Sequence, residues 1–168
     1  VFKYDWLVVF IDYDTKEKTV VINSKEELEK FYEQHSDDIF CGYNSRTYDQ
    51  VIFKAILSGI HPWTANVQII NEGKKAFQIL GKNGKIPFNN YDCLLLNKSL
   101  KQLEGFLNSK IQESSVDFNI DRHLTQSEID ETIEYCTHDV EQTIVVFDNT
   151  KEEFDAQLSL IETFNLPM

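Results

Sequence analysis

Ile39-Phe40-Cys41-Gly42-Tyr43-Asn44-Ser45-Arg46-Thr47-Tyr48-Asp49 is the stretch on which the reading of this chain turns. Ile39, Phe40 and Cys41 form an apolar run suited to a buried strand, and Gly42 ends it. Val51, Ile52, Ala55 and Ile56 then recur at helical spacing, which predicts a helix over roughly Tyr48 to Ser58 with Gly59 as its stop. Open α/β sheets place their sites where a strand ends and a helix begins, and Asn44 and Asp49 stand at that junction. A second segment, Tyr135-Cys136-Thr137-His138-Asp139, carries a phenol and a carboxylate four positions apart. An α-helix turns once in 3.6 residues, so both leave the same face. One carboxylate suits a hard cation, and a phenol one turn away suits a bound water.

Working outward, Asp5 to Asp12 and Lys18 to Ile22 read as the strands of a hairpin joined by the polar turn Tyr13 to Glu17. Ser24-Lys25-Glu26-Glu27 is a capping box, predicting a helix to about His35 with Leu28, Phe31 and Tyr32 inward. His61-Pro62-Trp63 reads as a connector, Thr64 to Leu80 as a weak helix interrupted by Gly73, and Gly81 to Lys85 as a turn. Phe88 to Leu96 supplies a further buried strand with Asp92 inside it. Ser99-Leu100-Lys101-Gln102 caps a helix carrying Leu103, Phe106 and Leu107, and Asn108 to Asp121 reads as a loop. Thr125-Gln126-Ser127-Glu128 opens the helix that bears Tyr135 and Asp139. An apolar stripe through Phe147, Phe154, Leu158 and Ile161 continues it, as one long helix or two.

A length of 168 residues fits one domain able to bury a core without staples. The 42% apolar content, with twelve Phe, seven Tyr and two Trp, excludes a disordered chain. Cys41, Cys93 and Cys136 are odd in number and lack CxxC spacing, so they read as reduced thiols of an intracellular protein. No apolar run approaches the roughly 18 residues of a membrane span, and no membrane partner is expected. The net charge of −12 argues against tight autonomous binding to nucleic acid. It leaves open a site that meets phosphate through Mg²⁺, where the metal carries the positive charge.

In order and residue type the segments resemble the 3′ to 5′ exonuclease (proofreading) domain of phage-type DNA polymerases, in the tyrosine-bearing subclass of the ribonuclease H-like superfamily. That family carries an Asp-x-Glu on its first strand, an Asn followed five residues later by Asp, and a late Tyr-x-x-x-Asp. Asn44 with Asp49 fits the second motif and Tyr135 with Asp139 the third; Ser99-Leu100-Lys101-Gln102-Leu103 fits a Ser/Thr-Leu segment that grips single-stranded DNA. The alternative subclass has His five positions before the last Asp, where this chain has Glu134. The resemblance covers roughly Val1 to Phe147. It implies a mixed β-sheet with helices on both faces, in a domain that is a piece of a larger polymerase acting in the cytoplasm of a bacterium or infected host cell.

The first motif is not visible as Asp-x-Glu. Either Asp12-Tyr13-Asp14 is a variant of it, or the first strand lies upstream of Val1 and is missing here. The element order favours the second, because only one strand and one helix separate Asp14 from Ile39. In the resembled mechanism, two Mg²⁺ or Mn²⁺ ions held by four carboxylates clamp the scissile phosphate, activate a water and stabilise the leaving 3′ oxygen. The resemblance assigns Asp49 and Asp139 as metal ligands and Tyr135 as the group orienting the water. Asn44, Ser99 and Leu100 would grip the DNA 3′ end, and Tyr43, Tyr48 or Phe106 would offer faces for base stacking.

Each residue also has a plainer reading. Asp139 alone is a solvated helix carboxylate, Asp49 an acid at a helix N-terminus, Asn44 a turn residue, Ser99 an N-cap, and His138 a structural neighbour turned away from Asp139. Asp92 is either site-facing or an edge carboxylate. A catalytically silent nucleic-acid-binding or scaffolding domain of a replication protein is therefore the competing function. A ribonuclease on the same fold is a third.

Overall fold

A computed structural model of the chain describes residues 1–95, 98–106 and 114–166. The fold is mixed α/β, built from two small sheets and seven α-helices among the described residues. Strands β1 (Leu7–Ile11) and β2 (Lys18–Ile22) form the expected antiparallel hairpin, with Val9 opposite Val20. Helix α1 (Lys25–Gln34) starts at Ser24, whose hydroxyl accepts the Glu27 N–H at 3.2 Å; such a cap is worth about 1 kcal/mol. Strand β3 (Phe40–Gly42) leads through the Asn44 loop into α2 (Asp49–Leu57) and pairs in parallel with β4 (Asn90–Asp92).

Between them run α3 (Pro62–Ile70), α4 (Ala76–Leu80) and a 3₁₀ turn over Gly81–Lys85. Helix α5 (Leu100–Phe106), α6 (Gln126–Asn149) and α7 (Lys151–Phe164) complete the chain. The apolar stripe beyond Tyr135 thus belongs to two helices. Thr150 closes one and opens the next, its φ of −118° and ψ of 15° falling outside helical values.

Helix α2 is the centre of the larger core. Val51, Ile52, Ala55 and Ile56 are buried as their spacing predicts, against Trp6, Val21 and Leu28. Phe10, Phe40, Phe53 and Phe88 stack around it, with Phe40 and Phe88 centroids 4.5 Å apart. A second core joins Tyr91 and Cys93 to Leu103, Val146 and Phe147, and so binds β4, α5 and α6 together. All three thiols are free.

Four expectations change. Asp5 is not in a strand: its buried carboxylate accepts the Leu124 N–H and the Asn23 amide and faces His123, pinning the start of the chain to the approach to α6. Burial opposes its charge, but His123, Leu124 and Asn23 hold the carboxyl below its ordinary value. His61 is not a connector but the cap of α3, its Nδ1 accepting the Trp63 N–H, with Pro62 in the first turn, where its missing N–H costs nothing. The strand read over Phe88 to Leu96 is only Asn90–Asp92, and Leu96 lies outside the described residues, as do Leu107, the Phe106 side chain and positions 108–113 of the Asn108 to Asp121 loop. The single mixed sheet is two separate pairs, β1 with β2 and β3 with β4.

Candidate functional site

The loop after β3 is fixed by one side chain that the sequence left undecided. Asp92, at the end of β4, accepts the Asn44 N–H at 2.8 Å and the Leu94 N–H at 3.0 Å on Oδ1, and the Arg46 N–H at 3.0 Å on Oδ2. Strand-end placement at the close of a parallel pair was the available signal. Gly42 is required by close approach: a Cβ there would lie 2.6 Å from Cβ of Ser45, which is buried with its hydroxyl on Asn90. Asn44 adopts φ of 58°, a left-handed turn that Asn tolerates. Its side-chain oxygen accepts the Thr47 hydroxyl at 2.6 Å, so the plainer turn reading describes what that oxygen does.

Both tyrosines of this loop are partly buried. Tyr43 packs against the second core and its hydroxyl donates to the Lys98 carbonyl at 2.8 Å. Tyr48 packs against the first core, its hydroxyl donates to Asn66 at 2.5 Å, and burial followed by the charge of Asp49 pushes its phenol up to about 12.

On α6, Tyr135 and Asp139 lie one turn apart and share a neighbour. Lys101 of α5 sets its ammonium 2.8 Å from Asp139 Oδ1 and 4.9 Å from the Tyr135 ring centroid. Burial and then the Asp139 charge push the Tyr135 phenol above its ordinary value, with Lys101 working the other way. Lys101 also reaches the Glu104 carboxylate at 3.4 Å. Glu104 is fully buried, His138 Nε2 stands 3.8 Å from its Oε1, and its Oε2 has no hydrogen-bond partner among the described residues. His138 stands toward Glu104 of α5. Lys101 was inside a quoted motif, but only the fold shows its ammonium turned to Asp139.

Asp49 is reached by water at the start of α2, yet the protein around it desolvates its carboxyl. Burial first, then the charge of Asp92 and, further on, of Asp139, push it up to about 6; its own backbone N–H and the Val1 ammonium pull in the opposite direction. The charges of carboxylates on β4 and α6 therefore reach Asp49 on α2. Cys136, pushed up to about 11 by burial, faces the Val1 ammonium, Asp139 and Asp49.

The remaining predicted residues do structural work here. Ser99 and Gln102 cap α5 reciprocally, the Ser99 hydroxyl accepting the Gln102 N–H at 3.2 Å, and Leu100 packs into the second core. Asp12 sits in the hairpin turn, where Oδ1 accepts the N–H groups of Asp14 and Thr15 and the Thr15 hydroxyl. These bonds, with a smaller contribution from His35, hold its carboxyl below the ordinary value.

Among the described residues no group of three His, Cys, Asp or Glu stands close enough to hold a metal ion. None of their helices is long and apolar enough to cross a membrane. Comparison with known proteins gives no match to a family model, to a curated protein or to a solved structure.

Proposed function

We propose that this chain is a metal-dependent 3′ to 5′ exonuclease domain of ribonuclease H-like fold, the proofreading module of a phage-type DNA polymerase. The observation that carries the reading is that Asp49 on α2 lies within the field of Asp92 and of Asp139, 90 positions away, with Tyr135 one turn from Asp139. Like charges near a carboxyl raise it and favour a compensating cation. Lys101 serves as that cation at Asp139. The donors fit Mg²⁺ or Mn²⁺ in type, being hard oxygens; Asp49 and Asp139 would hold such ions, two carboxylates of the four the resemblance calls for. Bound there, the ions would supply charge neutralisation at a phosphodiester and a nucleophile at neutral pH. Tyr135 would hold the attacking water, and Asp92 keeps the Asn44 loop rigid beside it.

The test is digestion of single-stranded DNA by the parent protein. Mg²⁺- or Mn²⁺-dependent loss of nucleotides from the 3′ end, abolished in Asp139→Ala, is expected; undiminished digestion by that variant overturns the assignment. Among the described residues no three such side chains stand close enough to share an ion, which favours a second reading, a silent nucleic-acid-binding or scaffolding domain; it predicts that the parent protein leaves DNA intact in either ion.

A further inference from the structure

The net charge of −12 hides a strong asymmetry. Between Gln50 and Tyr91 the chain carries five lysines and one acid, Glu72, which is itself paired with Lys74 at 2.8 Å. The fold gathers part of this segment around a cavity of about 330 Å³ lined by Arg46, Gln50, Lys54, Phe77, Leu80 and Lys85 among others. No lining residue is acidic, in a protein whose acids outnumber its bases 28 to 16.

Lys54 makes the cavity a built feature. It projects from α2 and is only 7% exposed, with Nζ donating to the Gly84 carbonyl at 3.0 Å. No carboxylate among the described residues compensates it: burial alone acts on its ammonium, holding it below the ordinary lysine value. A buried charge is costly unless a counter-charge meets it. Arg46 uses one guanidinium nitrogen on the Asn90 carbonyl at 3.3 Å and has further N–H groups to offer. Lys85 is exposed at the edge. Phe77 is 73% exposed, an unusual position for a phenylalanine, and presents a flat ring beside the three cations. Cations plus an exposed ring match a phosphate and its adjoining base, the combination by which single strands are bound without sequence preference. The volume lies at the small end of the range for ligand sites, roughly 300–1,000 Å³.

We propose that this cavity binds a phosphate with its adjoining base from a single-stranded nucleic acid, the phosphate against Arg46, Lys54 and Lys85 and the base on Phe77. The cavity adjoins the carboxylates, since Arg46 donates its backbone N–H to Asp92, but its binding does not rest on their chemistry. Its test is run in EDTA, where no cleavage occurs, by fluorescence anisotropy of a labelled thymidine oligonucleotide on the 168-residue chain at about 0.15 M salt, where charges act over only about 8 Å. Phe77→Ala should weaken binding about fivefold or more, and Lys85→Glu about tenfold. Lys82→Glu, a charge change of equal size in the same turn but outside the lining, should leave binding within about twofold. Both lining variants alter exposed side chains, and circular dichroism should report an unchanged fold. Thymidine monophosphate and inorganic phosphate are the competitors: displacement only by oligonucleotide identifies a strand as the source, and displacement by the mononucleotide identifies a free nucleotide filling the same site. Absence of binding, indifference to Phe77→Ala and Lys85→Glu, or an equal loss in Lys82→Glu overturns the proposal.

Discussion

The Lys101 ammonium of α5 lies 2.8 Å from the carboxylate of Asp139 on α6, and the same lysine reaches the fully buried Glu104 at 3.4 Å. One side chain thus clamps two helices and neutralises the acid proposed to take a metal ion. A lysine in that position competes with any divalent cation. In Lys101→Met, stability should fall by about 1 to 3 kcal/mol, because Glu104 stays buried with less compensation; urea unfolding measures this. Mn²⁺ binding, read from the free-ion electron paramagnetic resonance signal, should tighten several-fold, and the gain should vanish when Asp139→Asn is added. Weaker Mn²⁺ binding by Lys101→Met would make Lys101 a supporter of the ion site and end the idea of competition.

Asp49 should titrate near 6 in EDTA, followed by carboxyl carbon NMR. Because its folded value lies above the ordinary 3.8, the folded chain holds this proton more tightly. The associated stability is complete below about pH 4 and is lost as pH rises through 6. Water reaches the side chain, so the swing relative to Asp49→Asn is discounted to about 1 kcal/mol. Neutralising either neighbour, by Asp92→Asn or Asp139→Asn, should lower the Asp49 midpoint. A midpoint near 4 in the unmodified chain would show that the three acids do not share a field.

Asp92 accepts three backbone N–H groups, and an amide in its place must confront at least one of them with its own NH₂. Asp92→Asn should cost about 1 to 2 kcal/mol. Amide exchange at Asn44 and Arg46 should quicken ahead of the rest of the molecule. Unchanged exchange there would mean that other contacts hold the loop.

Gly42 and Ser45 should behave as a coupled pair. A Cβ at Gly42 meets Ser45 Cβ at 2.6 Å, an overlap that costs about 1 to 3 kcal/mol when a core is overfilled. Ser45→Gly relieves the clash while losing the hydroxyl bond to Asn90. The double variant should therefore be more stable than the sum of the two single losses predicts. Simple additivity would show that the loop shifts to accommodate the methyl group.

Local patterns in the chain foretold local structure well. The hairpin, the caps at Ser24 and Thr125 and the inward face of α2 follow from alternation, helical spacing and capping chemistry, all of which act over a few residues. Tyr135 and Asp139 were legible as one helix face for the same reason. Elements whose ends depend on distant partners were misjudged. Asp5 left its strand for Leu124, 119 positions away. Tyr43 and Tyr48 each lean on a core element that is distant in the chain, which their sequence neighbours do not announce.

The candidate site divides along the same line. By itself the sequence determined which chemistry is available: carboxylates at 49 and 139, a phenol at 135, a glycine at 42 and a mixed α/β arrangement to carry them. Only the tertiary structure decided that Asp92 organises the Asn44 loop, that Lys101 answers Asp139, and that a buried lysine faces a cavity without acids inside an acidic protein. The reason is physical. Propensity, capping and periodicity are short-range and repeat along the chain. Charge pairing and close approach are set by residues that meet only after folding has brought β4 beside β3 and α5 beside α6.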